Sequence, residues 1–165
     1  MIPSPRPLPF LTTNNLTFCL ASVISPTRFY VYADDDLSSQ LSPLSERLNY
    51  YYRHSVPFDH ARPTIGSFWV IKDRNGDNWS RVCVIGLDVD NKTVSVLLID
   101  YGDTDTVPIS QLRPLRKEIT DTPCLAIPCR LGGIYPPGQK VTNIFLLVVL
   151  YTKKKRIPAN LIRFI

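Results

Sequence analysis

Hydrophobic and polar positions alternate most clearly in the middle of the chain. Ser67 to Lys72, Trp79 to Leu87, Thr93 to Asp100 and Thr104 to Pro108 are apolar-rich runs of strand length. Between them lie Asp73-Arg74-Asn75-Gly76-Asp77, Asp88 to Lys92 and Tyr101-Gly102-Asp103, which carry the polar residues and glycines that turns require. Short strands broken by turns at roughly every 8–12 residues predict a β-barrel or sandwich. Gly66 opens this block, and Ser110 stands where it would cap a single turn, Gln111 to Leu115, at the barrel end.

Upstream, Leu16 to Tyr32 predict two short strands around Ser25-Pro26-Thr27. Phe29 and Val31 are expected to face inward, and Tyr30 and Tyr32 outward. Asp34, Asp35 and Asp36 end the second strand. Leu37, Leu41, Leu44, Leu48 and Tyr51 or Tyr52 recur at helical spacing. Ser38 and Ser39 are candidate caps, and Pro43 suits the first helical position if the helix starts after Ser42. Downstream, Pro123 to Leu131 predict a further strand. After Gly133 the pattern fails: Pro136-Pro137-Gly138 breaks the chain, and the apolar run Ile144 to Tyr151, a basic block and Ile157 to Ile165 yield no fold. The organisation expected is a disordered lead-in (1–15), a first subdomain half with its helix (16–61), a barrel (62–122), a return strand (123–138) and an atypical tail (139–165).

Charge and composition narrow the function. The net charge of +5 is concentrated in Lys153, Lys154, Lys155 and Arg156, without which the chain would be almost neutral. The globular part is therefore not a strongly basic nucleic-acid surface, and the block reads as a solvated tail. Cys19, Cys83, Cys124 and Cys129 form no Cys-x-x-Cys pair and have no histidine cluster beside them, so reduced thiols are expected, with no zinc site and no disulfide framework. Ile144 to Tyr151 is far shorter than the ~20 residues a membrane helix needs, and the proline-rich start lacks a signal-peptide core. His54, His60 and Asp59 have no nucleophile or glycine-rich turn nearby, so no catalytic site is expected. No cofactor is implied.

The most informative string is Val94 to Val107, a buried strand that ends in Asp100-Tyr101-Gly102-Asp103 and turns directly into another. Gly102 permits a positive φ there, which places Tyr101 at the barrel rim. Gly66, Trp79-Ser80-Arg81, Ile99-Asp100-Tyr101-Gly102-Asp103 and Leu112-Arg113-Pro114-Leu115 follow in order. Pro123, Ala126, Cys129 and Leu131 complete the series. Together they resemble the Tudor family in its extended, germline form. The resemblance implies a mainly β fold: a five-stranded SH3-like barrel joined to a nuclease-like, OB-type subdomain, incomplete downstream, with one linking helix. Gly66, Trp79, Arg81, Asp100 and Gly102 would be structural, with Arg81 and Asp100 pairing across neighbouring strands.

In the family, the rim carries an aromatic cage that holds a methylated arginine by cation–π attraction. This chain keeps Tyr101, but has Ser80, Leu98 and Asp73 where aromatics are usual, and Asp103 where Asn is usual. At roughly 0.5–1 kcal/mol per exposed contact, losing those rings should cost about one to two decades in affinity. Asp73 and Asp103 could partly replace that by charge pairing, which would favour an unmethylated arginine equally well. The resemblance implies a non-catalytic, monomeric adaptor or scaffold. It would bind arginine-rich tails of Piwi-family proteins in the piRNA pathway, in the cytoplasm and perinuclear germ granules. The competing expectation is an RNA- or single-stranded-DNA-binding module, with Tyr30, Tyr32, Tyr50, Tyr51 and Tyr52 of the OB-type flank stacking bases. Against it, basic residues are not interleaved with those tyrosines in the sequence. A nuclease-type enzyme would need paired carboxylates with a nearby arginine in that flank, which are lacking.

Overall fold

A computed structural model describes residues 17–25, 28–33, 37–58, 61–73, 78–131, 157–158 and 162–164. The elements are β1 (Thr17–Ser25), β2 (Arg28–Ala33), α1 (Ser42–Tyr52), β3 (Phe68–Lys72), β4 (Trp79–Asp88), β5 (Thr93–Leu98), β6 (Thr104–Pro108), β7 (Arg113–Pro114), β8 (Ile127–Leu131), β9 (Ile157–Pro158) and β10 (Ile162–Phe164). They form two five-stranded sheets, ordered β6-β5-β4-β3-β7 and β10-β8-β2-β1-β9. Every pairing is antiparallel.

The first sheet curls around an aliphatic core of Ile71, Val82, Val84, Val94, Val96, Val107 and Leu112. These are the alternate residues of the predicted strands, so the period-2 pattern accounts for the barrel. Gly66 enters it at φ +85°, with its N–H donated to the Val84 carbonyl. β7 pairs with β3. A second core lies between the sheets and α1. Leu44, Leu48 and Tyr52 of the helix meet Tyr30 and Tyr32 of β2 and Val70 and Trp79 of the barrel. The Tyr52 hydroxyl donates to the Pro114 carbonyl at 2.7 Å and accepts from the Arg116 N–H at 3.0 Å, fixing the helix to the barrel's closing strand.

Several expectations need correction. Tyr30 and Tyr32 do point away from Phe29 and Val31, yet both are buried. The face they occupy is outward for their own sheet but is covered by the barrel and helix. Residues Leu37–Leu41 already form a wide helical turn running into α1. Leu41 therefore stands at the cap position with no side-chain cap bond, and Ser38 and Ser39 fall inside the preceding turn. Pro43 does fall in the first turn. The turn after β6 is Ile109–Gln111, entered from Pro108 without a side-chain cap, so Ser110 is inside it and not its cap. The third barrel strand stops at Leu98, because Ile99 and Asp100 leave the ladder for the turn.

The tail, for which no fold was derived, contributes β9 and β10, one at each edge of the second sheet. The lead-in 1–15, Arg74 to Asp77, Ile144 to Tyr151 and Lys153 to Arg156 lie outside the described residues.

Candidate functional site

The site grows from the turn between β5 and β6. The Leu98 carbonyl accepts from the N–H groups of both Tyr101 and Gly102, and the Leu98 N–H donates to Asp103, which closes the turn. Gly102 sits at φ +81°. A Cβ there would lie 2.4 Å from Cγ of the Tyr30 ring, so glycine is required by backbone and space alike. The turn is thus pressed onto β2, and the rim faces both sheets.

Directly before it, Asp100 is buried and joined to Arg81 by two bonds, Nε to Oδ2 at 2.8 Å and Nη2 to Oδ1 at 2.6 Å. The remaining guanidinium N–H groups donate to the carbonyls of Ile119, Thr122 and Pro123. Asp100 also accepts from the Leu125 N–H at 3.3 Å. The pair therefore ties the barrel to the segment that leads into β8, as its structural assignment implied. Trp79 is buried against Tyr52, with ring centroids 5.4 Å apart, and under the Arg113 guanidinium. It belongs to the core between helix and barrel.

At the rim, Tyr101 is half-buried. Burial pushes its phenol above the usual range, the Asp100 and Asp73 charges add to this, and a hydrogen bond with Ser80 opposes it. Ser80 is itself only 4 % exposed, so it lies beneath Tyr101 instead of forming a wall. Asp73 follows β3. Its N–H donates to the Asn78 carbonyl, and its Oδ2 accepts from Asn78 Nδ2 at 3.4 Å. Asp103 is exposed and takes a 2.5 Å bond from Ser22 Oγ of β1. Leu98, opposite Val82, packs against the barrel core. Tyr101, Ser80, Asp73 and Asp103 thus lie around one turn, and Leu98 is directed to the core.

Sequence reasoning missed two participants. Tyr32 of β2 is buried, and its phenol is raised chiefly by that burial, then by Tyr101, Asp100 and Asp103. It lies beneath the surface on the face of β2 whose Tyr30 ring meets the turn at Gly102. Ser22, which holds Asp103, is the other. Outward tyrosines in a short strand were a signal, but nothing local said which surface would cover them.

The base-stacking set is also redrawn. Tyr30, Tyr32 and Tyr52 are buried. Tyr50 is 67 % exposed and meets Tyr51 edge-on, with Arg53 over the Tyr50 ring and Arg116 over the Tyr51 ring. Arginines and tyrosines are interleaved in space although they are not in sequence. All four cysteines are free. Among the described residues no group of His, Cys, Asp and Glu is arranged to hold a metal, and no helix is long and apolar enough to cross a membrane.

Comparison with known proteins gives a consistent answer. The family model described as Tudor domain matches residues 12–133. The mouse Tudor domain-containing protein 1 is 33% identical over 113 residues, which is 67% of this chain and 10% of that protein. The human TDRD1 extended Tudor domain, solved with a symmetrically dimethylated peptide, superposes with a TM-score of 0.78 at 23% identity, covering 94% of this chain and 77% of that one. The Drosophila melanogaster Papi extended Tudor domain, solved with an unmethylated Piwi N-terminal peptide, gives a TM-score of 0.63 at 18% identity, covering 77% and 63%.

Proposed function

Because this chain belongs to the Tudor domain family, in its extended form, we propose that it is a non-catalytic module that binds an arginine-containing peptide at the Tyr101 turn, with little dependence on methylation. One observation carries this reading: Tyr101 stands half-buried at the turn, with Asp103 exposed two residues on and Asp73 directly after β3 as acidic neighbours. The Tyr101 ring offers cation–π attraction to a guanidinium. Two carboxylates offer charge-assisted hydrogen bonds to its N–H groups, of which dimethylation removes some while keeping the charge. With Ser80 and Leu98 in place of rings, the gain that methylation draws from a closed aromatic box is small. The charge pairing serves the unmethylated side chain equally well, since methylation keeps the charge. The Papi extended Tudor domain, in a substituted form, has been solved with both a dimethylated and an unmethylated Piwi peptide.

The partners are arginine-rich tails of Piwi-family proteins, and the setting is the cytoplasm and its perinuclear germ granules, with the chain acting as a monomeric adaptor or scaffold. This chain spans only a tenth of the mouse relative's length, so the reading concerns the module. The test is fluorescence anisotropy with two arginine-glycine peptides, one symmetrically dimethylated and one not, against this chain and Tyr101→Ala. The expected result is affinities within about threefold of each other, both lost in the variant. A methylated peptide that binds at least about tenfold tighter would show a working cage and overturn the charge-based balance. No binding of either peptide would overturn the site.

A second reading has an observation of its own. Arg53 and Arg116 stack on Tyr50 and Tyr51 at the end of α1, a combination suited to single-stranded RNA. Oligonucleotide binding with a steep salt dependence, abolished by Tyr50→Ala with Arg53→Ala, would establish it.

A further inference from the structure

Two arginines oppose each other across the second sheet. Phe29 pairs with Cys129 and Tyr30 with Pro128, so one step along this antiparallel register Arg28 stands opposite Arg130. Directly opposed residues on antiparallel strands have Cβ atoms about 5 Å apart and point to the same face, and like charges so placed repel. Arg28 and Arg130 are both exposed. Neither pairs with a carboxylate among the described residues.

The row is continuous with the rim. Tyr32, Tyr30 and Arg28 are alternate residues of β2 and share one face. Tyr30 packs under Gly102, and Ser22, its partner on β1, holds Asp103. Arg28 is the next position on that face, about 7 Å beyond Tyr30 along the strand. The surface therefore changes from acidic and aromatic at the turn to purely basic at the arginine row. A single-stranded nucleic acid would need exposed rings for its bases. The aromatic ring next to the row on this face, Tyr30, is only 5 % exposed.

We propose that the row formed by Arg28 and Arg130 binds acidic side chains of the same peptide whose arginine occupies the Tyr101 turn. The inference rests on the peptide-binding reading above and adds a sequence preference to it. From Tyr32 to Arg28 is four residues of strand. An extended peptide advances by about 3.3 Å per residue, so the favoured Asp or Glu lies roughly three to five positions from the anchored arginine. Charge-assisted contacts from guanidinium to carboxylate supply the attraction, and binding relieves the repulsion within the row.

The test uses anisotropy with four peptides at two salt concentrations: arginine with a neutral flank, arginine with Asp-Asp at those positions, arginine with Lys-Lys there, and the acidic peptide with Ala in place of arginine. The proteins are this chain, Arg28→Glu with Arg130→Glu, Arg28→Gln with Arg130→Gln, and Tyr101→Ala. Thermal melts check that each is folded. The acidic flank should improve affinity about tenfold at low salt, with the gain shrinking as salt rises. The glutamine pair should lose the gain, and the glutamate pair should prefer the Lys-Lys peptide. Tyr101→Ala should weaken binding of the arginine peptides while keeping the acidic preference.

Equal binding of acidic and neutral flanks by the unaltered chain, with arginine still bound, would overturn the proposal and leave the peptide site intact. Row-dependent binding of the arginine-free acidic peptide, with arginine adding nothing, would refute the peptide site and support the row alone. A single-stranded oligonucleotide that binds through Arg28 and Arg130, without any acidic-peptide preference, would assign the row to nucleic acid and overturn the proposal.

Discussion

The Arg81–Asp100 pair and the Tyr101–Asp103 turn are contiguous in the chain, yet they differ in how completely their polar groups are used. Every guanidinium N–H of Arg81 has an acceptor, and Asp100 accepts from both the guanidinium and the Leu125 backbone. Nothing is left there for a ligand. One residue later Tyr101 is half-buried, and Asp103 is exposed with a single bond from Ser22. The same turn thus combines a saturated buried charge pair and an open rim. A motif read as one unit divides, residue by residue, into a part that holds the sheets together and a part available to a partner.

Substitutions at the two sides should separate cleanly. Arg81→Ala leaves a buried carboxylate without its counter-charge, which costs about 3–5 kcal/mol. Chemical denaturation should show a large loss of midpoint, and a loss under about 1 kcal/mol would mean the pair is not the tie described. At the joint, Gly102→Ala meets both the positive φ and the Tyr30 ring, and should cost about 2 kcal/mol or more. Gly66→Ala, at φ +85° with open space around its Cβ position, should cost about 1 kcal/mol. Similar losses at both glycines would mean that Tyr30 moves aside readily.

Titration sharpens the contrast further. The Tyr32 phenol is held neutral above its ordinary range by burial, so the folded chain keeps a proton that the unfolded chain releases. Stability from this source is full below about pH 10 and falls as pH rises beyond it. Cys129, pushed up to about 12 by burial, adds a loss that begins near the ordinary thiol range. Tyr32→Phe should lose less stability between neutral pH and pH 11 than the unaltered chain, measured as the shift in urea midpoint. An identical slope would place Tyr32 in a wetter environment than its 6 % exposure implies. The smallest effect is expected at the row: Arg130→Gln should stabilise the chain by a few tenths of a kcal/mol, because it removes a like-charge opposition.

The barrel was legible because β5 and β6 bury one face each and polar, glycine-bearing turns punctuate its strands. The partnership of Arg81 and Asp100 was legible for a related reason: charges on neighbouring buried strands need each other. The second sheet was harder. In β2, residues Phe29 to Tyr32 are all buried, so alternation vanishes and the outward reading of Tyr30 and Tyr32 failed. β9 and β10 are two and three residues long, too short to show any period. At the rim the chemistry of Tyr101, Asp73 and Asp103 could be named, but not the neighbour that β2 brings to them.

The two sheets also differ in how far the chain must travel to close them. Barrel strands β3 to β7 are consecutive, and each pairs with a near neighbour except where β7 returns to β3. The other sheet joins Thr17 to Pro158 and Cys129 to Phe164, so its outer strands arrive only once nearly all of this sequence has been made. Such distant pairings form slowly, since the loop entropy is lost before the contacts are gained. During synthesis the barrel would fold first and wait beside a three-stranded sheet whose edges are bare, and bare edges are where chains join one another. For this protein the interval before residues 157–164 dock is the period of greatest exposure to misassembly, and any partner that shields β1 and β8 in that interval acts as a chaperone.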